Sequence, residues 1–199
     1  MSVLIRPRLV GLLLAVAIPA CATLQQIVAL RQVHFDLTGV RRGRLAGIDL
    51  SRVRSYSDLT PLDVGRVALA VARKDLPFDF VVDISALNPP ENKVTARMVM
   101  LAWTLLLNDK ETISGVLDTS LTLPPGTPTS IPIRMSLNLL QFFDGPAQTL
   151  VDLAASVAGV SGDPTRISIR AVPTIDTPVG RIAYPTPITI VSRTVGGAR

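Results

Sequence analysis

Any chemistry in this chain has to come from very few side chains, because its 199 residues include one cysteine and one histidine. The cysteine is Cys21, in Ile18-Pro19-Ala20-Cys21-Ala22. It follows a short basic stretch with Arg6 and Arg8 and an apolar run from Leu9 to Ile18. A basic start, an apolar middle and small residues at a cleavage point form the three-part pattern of an export signal. The apolar run is too short to cross a bilayer core of ~30 Å. An aliphatic residue three before the cysteine and a small one just before it have the form of a lipobox, with Pro19 where a small residue is usual. The Cys21 thiol is therefore the candidate for acylation. The competing assignments are a plain secretory signal cut at Ala20-Cys21-Ala22, or a buried thiol. Lipidation is favoured, and it would leave no thiol for disulfides, metals or thiol catalysis.

His34 is the only candidate general base, and Asp36 lies two residues on, on the same face of an alternating segment. A hydrolase would also need a nucleophile beside that base, and no Gly-x-Ser-x-Gly elbow accompanies the pair. One histidine and one cysteine cannot build a zinc site. The stretch Gly39-Val40-Arg41-Arg42-Gly43-Arg44 lacks the Lys-Ser/Thr of a phosphate loop. No catalytic residue, metal ligand or cofactor is assigned. Arg41, Arg42 and Arg44 read as a glycine-rich hairpin whose charges keep it soluble. They are also candidate contacts to an anionic lipid surface, where each basic residue contributes about 1 kcal/mol.

The formal net charge is +5, and removing Arg6 and Arg8 with the leader lowers it to +3. The basic residues are scattered and aromatics make up 4% of the chain, so no platform for stacking bases is present and nucleic acid is not expected as a partner. Apolar residues make up 48%, enough for an ordinary core and too many for a disordered, hydrophilic stress protein.

Two segments have helical periodicity. In Thr60–Lys74, Val64, Val67, Ala68, Val71 and Ala72 form one stripe. Thr60 is the cap, Pro61 takes the first helical position and Asp63 lies in the first turn. A second helix is expected from about Gly145 to Val157, with Leu150, Leu153, Ala154, Val157 and Ala158 as its stripe. Elsewhere the period is two. Val33–Leu37, Ile48–Val53, Phe78–Leu87, Val94–Leu107, Ile113–Leu123, Ile131–Leu139, Ile167–Val172 and Pro187–Val191 are predicted strands. The turns between them include Asn88-Pro89-Pro90-Glu91-Asn92, Asn108-Asp109-Lys110 and Thr177-Pro178-Val179-Gly180. Short strands separated by turns every eight to twelve residues predict a mainly β, antiparallel β-sandwich with two amphipathic helices.

Met98–Leu107 departs from the alternating pattern, being almost uninterruptedly apolar. A strand apolar on both faces must be covered on both. The opposite sheet is expected over one face and the two helices over the other; the alternative is a groove that admits an acyl chain.

Three short motifs follow in order: Ile84-Ser85-Ala86-Leu87-Asn88-Pro89, Thr122-Leu123-Pro124-Pro125-Gly126 and Ile131-Pro132-Ile133. With the helix and two strands behind them, the stretch from Val33 to Val191 resembles the group 2 late embryogenesis abundant family, the water stress and hypersensitive response domain. The Thr60–Lys74 helix, ahead of the Asn-Pro strand, departs from that family's pattern. The resemblance implies an immunoglobulin-like sandwich without cofactor or catalytic residues and a role in desiccation or osmotic stress. Asn88 and Pro89 are the family's marker turn and read as structural. The expected organisation is a leader over 1–20, a tether over 21–32, the sandwich over 33–192 and a tail over 193–199. Together these describe an exported lipoprotein held to a membrane by its anchor, on the periplasmic face of the outer membrane in a two-membrane host, with a protein or lipid as further partner.

Overall fold

The computed structural model describes residues 28–161, 164–177 and 180–195. Cys21, the leader and most of the tether lie outside the described residues, as do Pro178, Val179 and Gly162. The elements are a helical turn at 28–31 and then β1 (His34–Leu45), β2 (Ile48–Asp49), α1 (Pro61–Ala72), β3 (Pro77–Leu87), β4 (Ala96–Met98) and β5 (Met100–Leu107). They continue with β6 (Lys110–Leu117), β7 (Leu121–Leu123), β8 (Pro128–Asn138), α2 (Ala147–Val157), β9 (Thr165–Thr177), β10 (Gly180–Ala183) and β11 (Ile188–Val195).

The strands form two main sheets face to face. One runs β2-β1-β3-β8 and the other β6-β5-β9-β11, with β10 beside β9. A single parallel bridge, Asp36 to Val191, joins them at one side; every other pairing is antiparallel. Alternation decides which side chains enter the core. Phe80, Val82, Ile84 and Ala86 of β3 point in, as do Ile131, Ile133, Met135 and Leu137 of β8, all between 0 and 4% exposed. From the facing sheet come Leu101, Leu105 and Leu107 of β5 and Ile167, Ile169 and Ala171 of β9, at 0 to 1%. The expected sandwich is the observed one.

Its two ends differ. At one, β1, β3, β8, β5 and β9 end or begin together, since Leu45 pairs Phe78, Pro77 pairs Asn138 and Leu107 pairs Ile167. Both helices gather there. Thr60 caps α1, its hydroxyl accepting from the Asp63 N–H at 3.2 Å, as its sequence predicts. Of its stripe only Val67 is fully buried; Ala68 and Ala72 are exposed. α2 is sunk deeper, with Leu150, Val151, Ala154 and Val157 enclosed, and Ser156 bonds Thr165 at the start of β9.

The helices therefore do not cover β5, which corrects the expectation for Met98–Leu107. The chain breaks at Val99. Before the break β4 pairs β7 in a small separate ladder; after it, β5 runs between β6 and β9. The inner side chains of β5 are buried, whereas Met100, Ala102, Thr104 and Leu106 are only partly buried on the outer face. The gap between the sheets beside Phe35, Leu101, Ala171 and Ile190 has a volume of ≈ 0 Å³, so this part of the core is dry.

At the other end Asn88 is a hub, 0% exposed. Its Nδ2 donates to the carbonyls of Leu123 at 2.8 Å and Val94 at 3.1 Å. Its Oδ1 accepts from Asn92 at 2.7 Å, and Asn92 Nδ2 also reaches Ala29 O at 3.0 Å. The Asn88 carbonyl takes the N–H of Gly126 at 2.7 Å, where Gly126 has φ +73°. The Asn-Pro turn and the Pro-Pro-Gly loop, two of the sequence markers, are thus one bonded unit.

Candidate functional site

The Gly39–Arg44 stretch is not a hairpin tip. β1 runs straight through it, and the turn comes later at Ala46-Gly47, with φ +48° and +80°. β1 carries a bulge here: Arg41 pairs Val81 and Arg44 pairs Asp79, so one extra residue stands on β1. Arg42 takes the irregularity with φ +58°, a left-handed conformation uncommon for a side-chain-bearing residue. Gly43, next along, is buried, and a Cβ there would come within 2.6 Å of the Ala158 Cβ just past α2. Contact with the helix end holds the bulge in place.

Each arginine has a different surrounding. Arg41 forks onto Asp83, Nε to Oδ2 at 2.5 Å and Nη2 to Oδ1 at 2.9 Å. Hydrogen bonding to that carboxylate raises the guanidinium above its ordinary range. Arg44 stands opposite Asp79 and Asp49. Hydrogen bonds from Ser51, and then the charges of Arg44 and Arg52, hold the Asp49 carboxyl below its usual range. Arg42 makes no ion pair among the described residues.

A fourth arginine joins them from 90 residues further along the chain. Arg134 on β8 and Arg41 on β1 both pair Val81 on the intervening β3, so the three stand abreast on the outer face. Val81 points outward yet is 7% exposed; arginine stems are suited to such cover. Two depressions meet here, sharing Arg42, Val81 and Arg134. One, of ≈ 600 Å³, extends to Arg44, Asp49 and Asp79. The other, of ≈ 490 Å³, crosses the open seam of the sandwich to Trp103, Val116 and Leu117 of β5 and β6. Trp103 is laid across Gly115, its partner in the β5–β6 ladder, where an added Cβ would meet the indole at 2.5 Å.

No family model matches this chain, and no curated protein does. Two solved structures overlap part of it. A protein from Archaeoglobus fulgidus is 15% identical with a TM-score of 0.33, the overlap covering 59% of this chain and 85% of that one. A protein solved in solution and assigned to the late embryogenesis abundant (LEA) proteins is 15% identical with a TM-score of 0.36, covering 63% of this chain and 64% of that one. Similarity at this level leaves the site to be read from its own residues.

The remaining candidates fall elsewhere. His34 and Asp36 are both exposed on the outer face of β1. Among the described residues no three His, Cys, Asp or Glu side chains group as metal ligands would, and no helix is long and apolar enough to cross a membrane. Asn88 is wholly engaged in the hub, and Pro89 follows it in the turn. Arg134 and Trp103 are the residues that sequence reasoning missed. The outward position of Arg134 is legible in the Ile131-Ile133-Met135 alternation; its neighbours are not, because strand order brings them together.

Proposed function

We propose that this chain is a non-enzymatic interaction module of the cell envelope, tethered through lipid on Cys21, whose arginine-bearing sheet face meets anionic membrane or protein surfaces. The resemblance of Val33–Val191 to the group 2 late embryogenesis abundant domain supports a protective role in desiccation or osmotic stress. The observation that carries the interaction face is the placement of Arg42, Arg44 and Arg134 on one outer sheet surface, without an ion pair among the described residues. At about 1 kcal/mol per basic residue near an anionic bilayer, three contribute about 3 kcal/mol, or roughly 100-fold in partitioning. That is enough to orient a module already held nearby by an anchor.

The full chain carrying Cys21→Ser should bind vesicles rich in phosphatidylglycerol more tightly than phosphatidylcholine vesicles. Arg42→Glu/Arg44→Glu/Arg134→Glu should remove most of that difference, and so should molar salt, where the screening length falls to ~3 Å. Equal association of parent and triple variant would sink the reading. The tether is tested separately: a fatty-acid analogue should label the wild type and not Cys21→Ser.

A further inference from the structure

We propose that the seam half of the trough binds one amphiphilic organic phosphate, its phosphoryl group held by Arg42 and Arg134 and its apolar part laid against Trp103 and Leu117. This deepens the anionic-face reading and rests on it only for the sign of the partner's charge.

Charge is divided unevenly along the trough. The half that reaches Arg44 is lined by two carboxylates, Asp49 and Asp79. The seam half is lined by Arg41, Arg42 and Arg134 and by no carboxylate. Arg41 has its Nε and Nη2 committed to Asp83, so Arg42 and Arg134, with no side-chain partner among the described residues, bring the remaining guanidinium donors. Planar guanidinium forks match phosphate oxygens two at a time. Arg42 carries the bulge at φ +58°, a left-handed conformation of the kind that gathers at binding sites.

The opposite wall is apolar. Leu117 and Trp103 share the inner side of the β5–β6 ladder and line the seam, whereas Val116, 59% exposed, pairs Ala102 and points to the outer face. Trp103, 8% exposed, is fixed against Gly115, so the part of the indole that lines the seam has little conformational entropy to lose on contact. A depression of ≈ 490 Å³ lies in the range of small-molecule sites, about 300–1,000 Å³. Guanidinium donors facing an indole and an aliphatic side chain across one gap select a ligand with an anionic head and an apolar body. The head could belong to a phospholipid or to a soluble phosphate ester.

The chain has one tryptophan, so Trp103 emission reports occupancy directly. The full chain carrying Cys21→Ser is titrated with short-chain phosphatidylglycerol below its micelle concentration, with hexyl phosphate and with inorganic phosphate. A saturable change in Trp103 emission with either amphiphile is expected, and the tighter of the two identifies a lipid or a soluble source. Arg134→Gln should weaken it about 10-fold or more, with Arg134→Lys intermediate and Arg73→Gln, which is not among the residues lining the trough, without effect. Circular dichroism checks that each variant is folded. The proposal is overturned by unsaturable titrations, by a folded Arg134→Gln that binds like the parent, or by inorganic phosphate binding as tightly as the amphiphiles. Intact association with anionic vesicles alongside any of these leaves the anionic-face reading standing. A saturable titration without vesicle preference does the reverse.

Discussion

Asn88 shows how much one side chain can hold when water is excluded from it. Its amide supplies both of the proton donations that the Val94 and Leu123 carbonyls receive there, and its oxygen receives one from Asn92. Asn88→Ala strands those groups in the interior, so a loss of about 2–4 kcal/mol in urea unfolding is expected. Asn88→Asp has the same shape but turns the donor into a second acceptor facing carbonyl oxygens. That carboxyl is pushed above the unfolded value of ~3.9, so its penalty is present at neutral pH and relieved as pH falls through the raised value. An Asp variant equally unstable at pH 4 and pH 7 would contradict this account. Asp49 illustrates the opposite sign. Its carboxyl is held low by Ser51 first and by Arg44 and Arg52 after, so the stability it lends exists above ~3.9 and is lost as pH falls through the folded value. Asp49→Asn should flatten the acid limb of a plot of urea midpoint against pH. Of these roles, the enclosed asparagine was partly legible: Asn-Pro after an alternating strand announces a turn. Its burial was not, because two of the partners that enclose it, Leu123 and Gly126, come from a loop far along the chain.

Strands repay their alternation with reliable faces and unreliable ends. The inward sets of β3 and β8 are written plainly in the sequence. The course of β1 is not, since glycines at 39 and 43 look like a turn until Ala158 is seen against Gly43. The apolar run through Met98–Leu107 conceals two strands in different ladders, separated at Val99. Because the helices lie elsewhere, the two faces of β5 should respond differently to truncation. Leu105, 0% exposed, should lose about 3–5 kcal/mol on change to Ala. Leu106, only partly buried, should lose about 1 kcal/mol. Equal losses would mean that something covers the outer face in solution. The β5–β6 pair makes a second forecast. Gly115→Ala drives a methyl into the Trp103 ring and should cost about 1–3 kcal/mol, while Gly115→Ala/Trp103→Leu should cost less than the sum of its single changes.

At the scale of the whole molecule, two sheets enclose one core and are joined along one side by the bridge between Asp36 and Val191. The class of fold was legible from strand count and turn spacing; the strand order was not, since local periodicity is silent about which strands become neighbours. β9 shows the consequence most clearly. It is the sole neighbour of β5 on the side away from β6, and it also carries β10 and β11. Any chain made from its N-terminus therefore displays half a sandwich before the other half can close. At roughly 5–20 residues per second, the about 60 residues between Leu107 and its partner Ile167 take about 3–12 s to appear. Until then the inner faces of β3 and β5, and of β8 once it is made, have no β9 to close over them. The core therefore closes late, after most of its strands have been made.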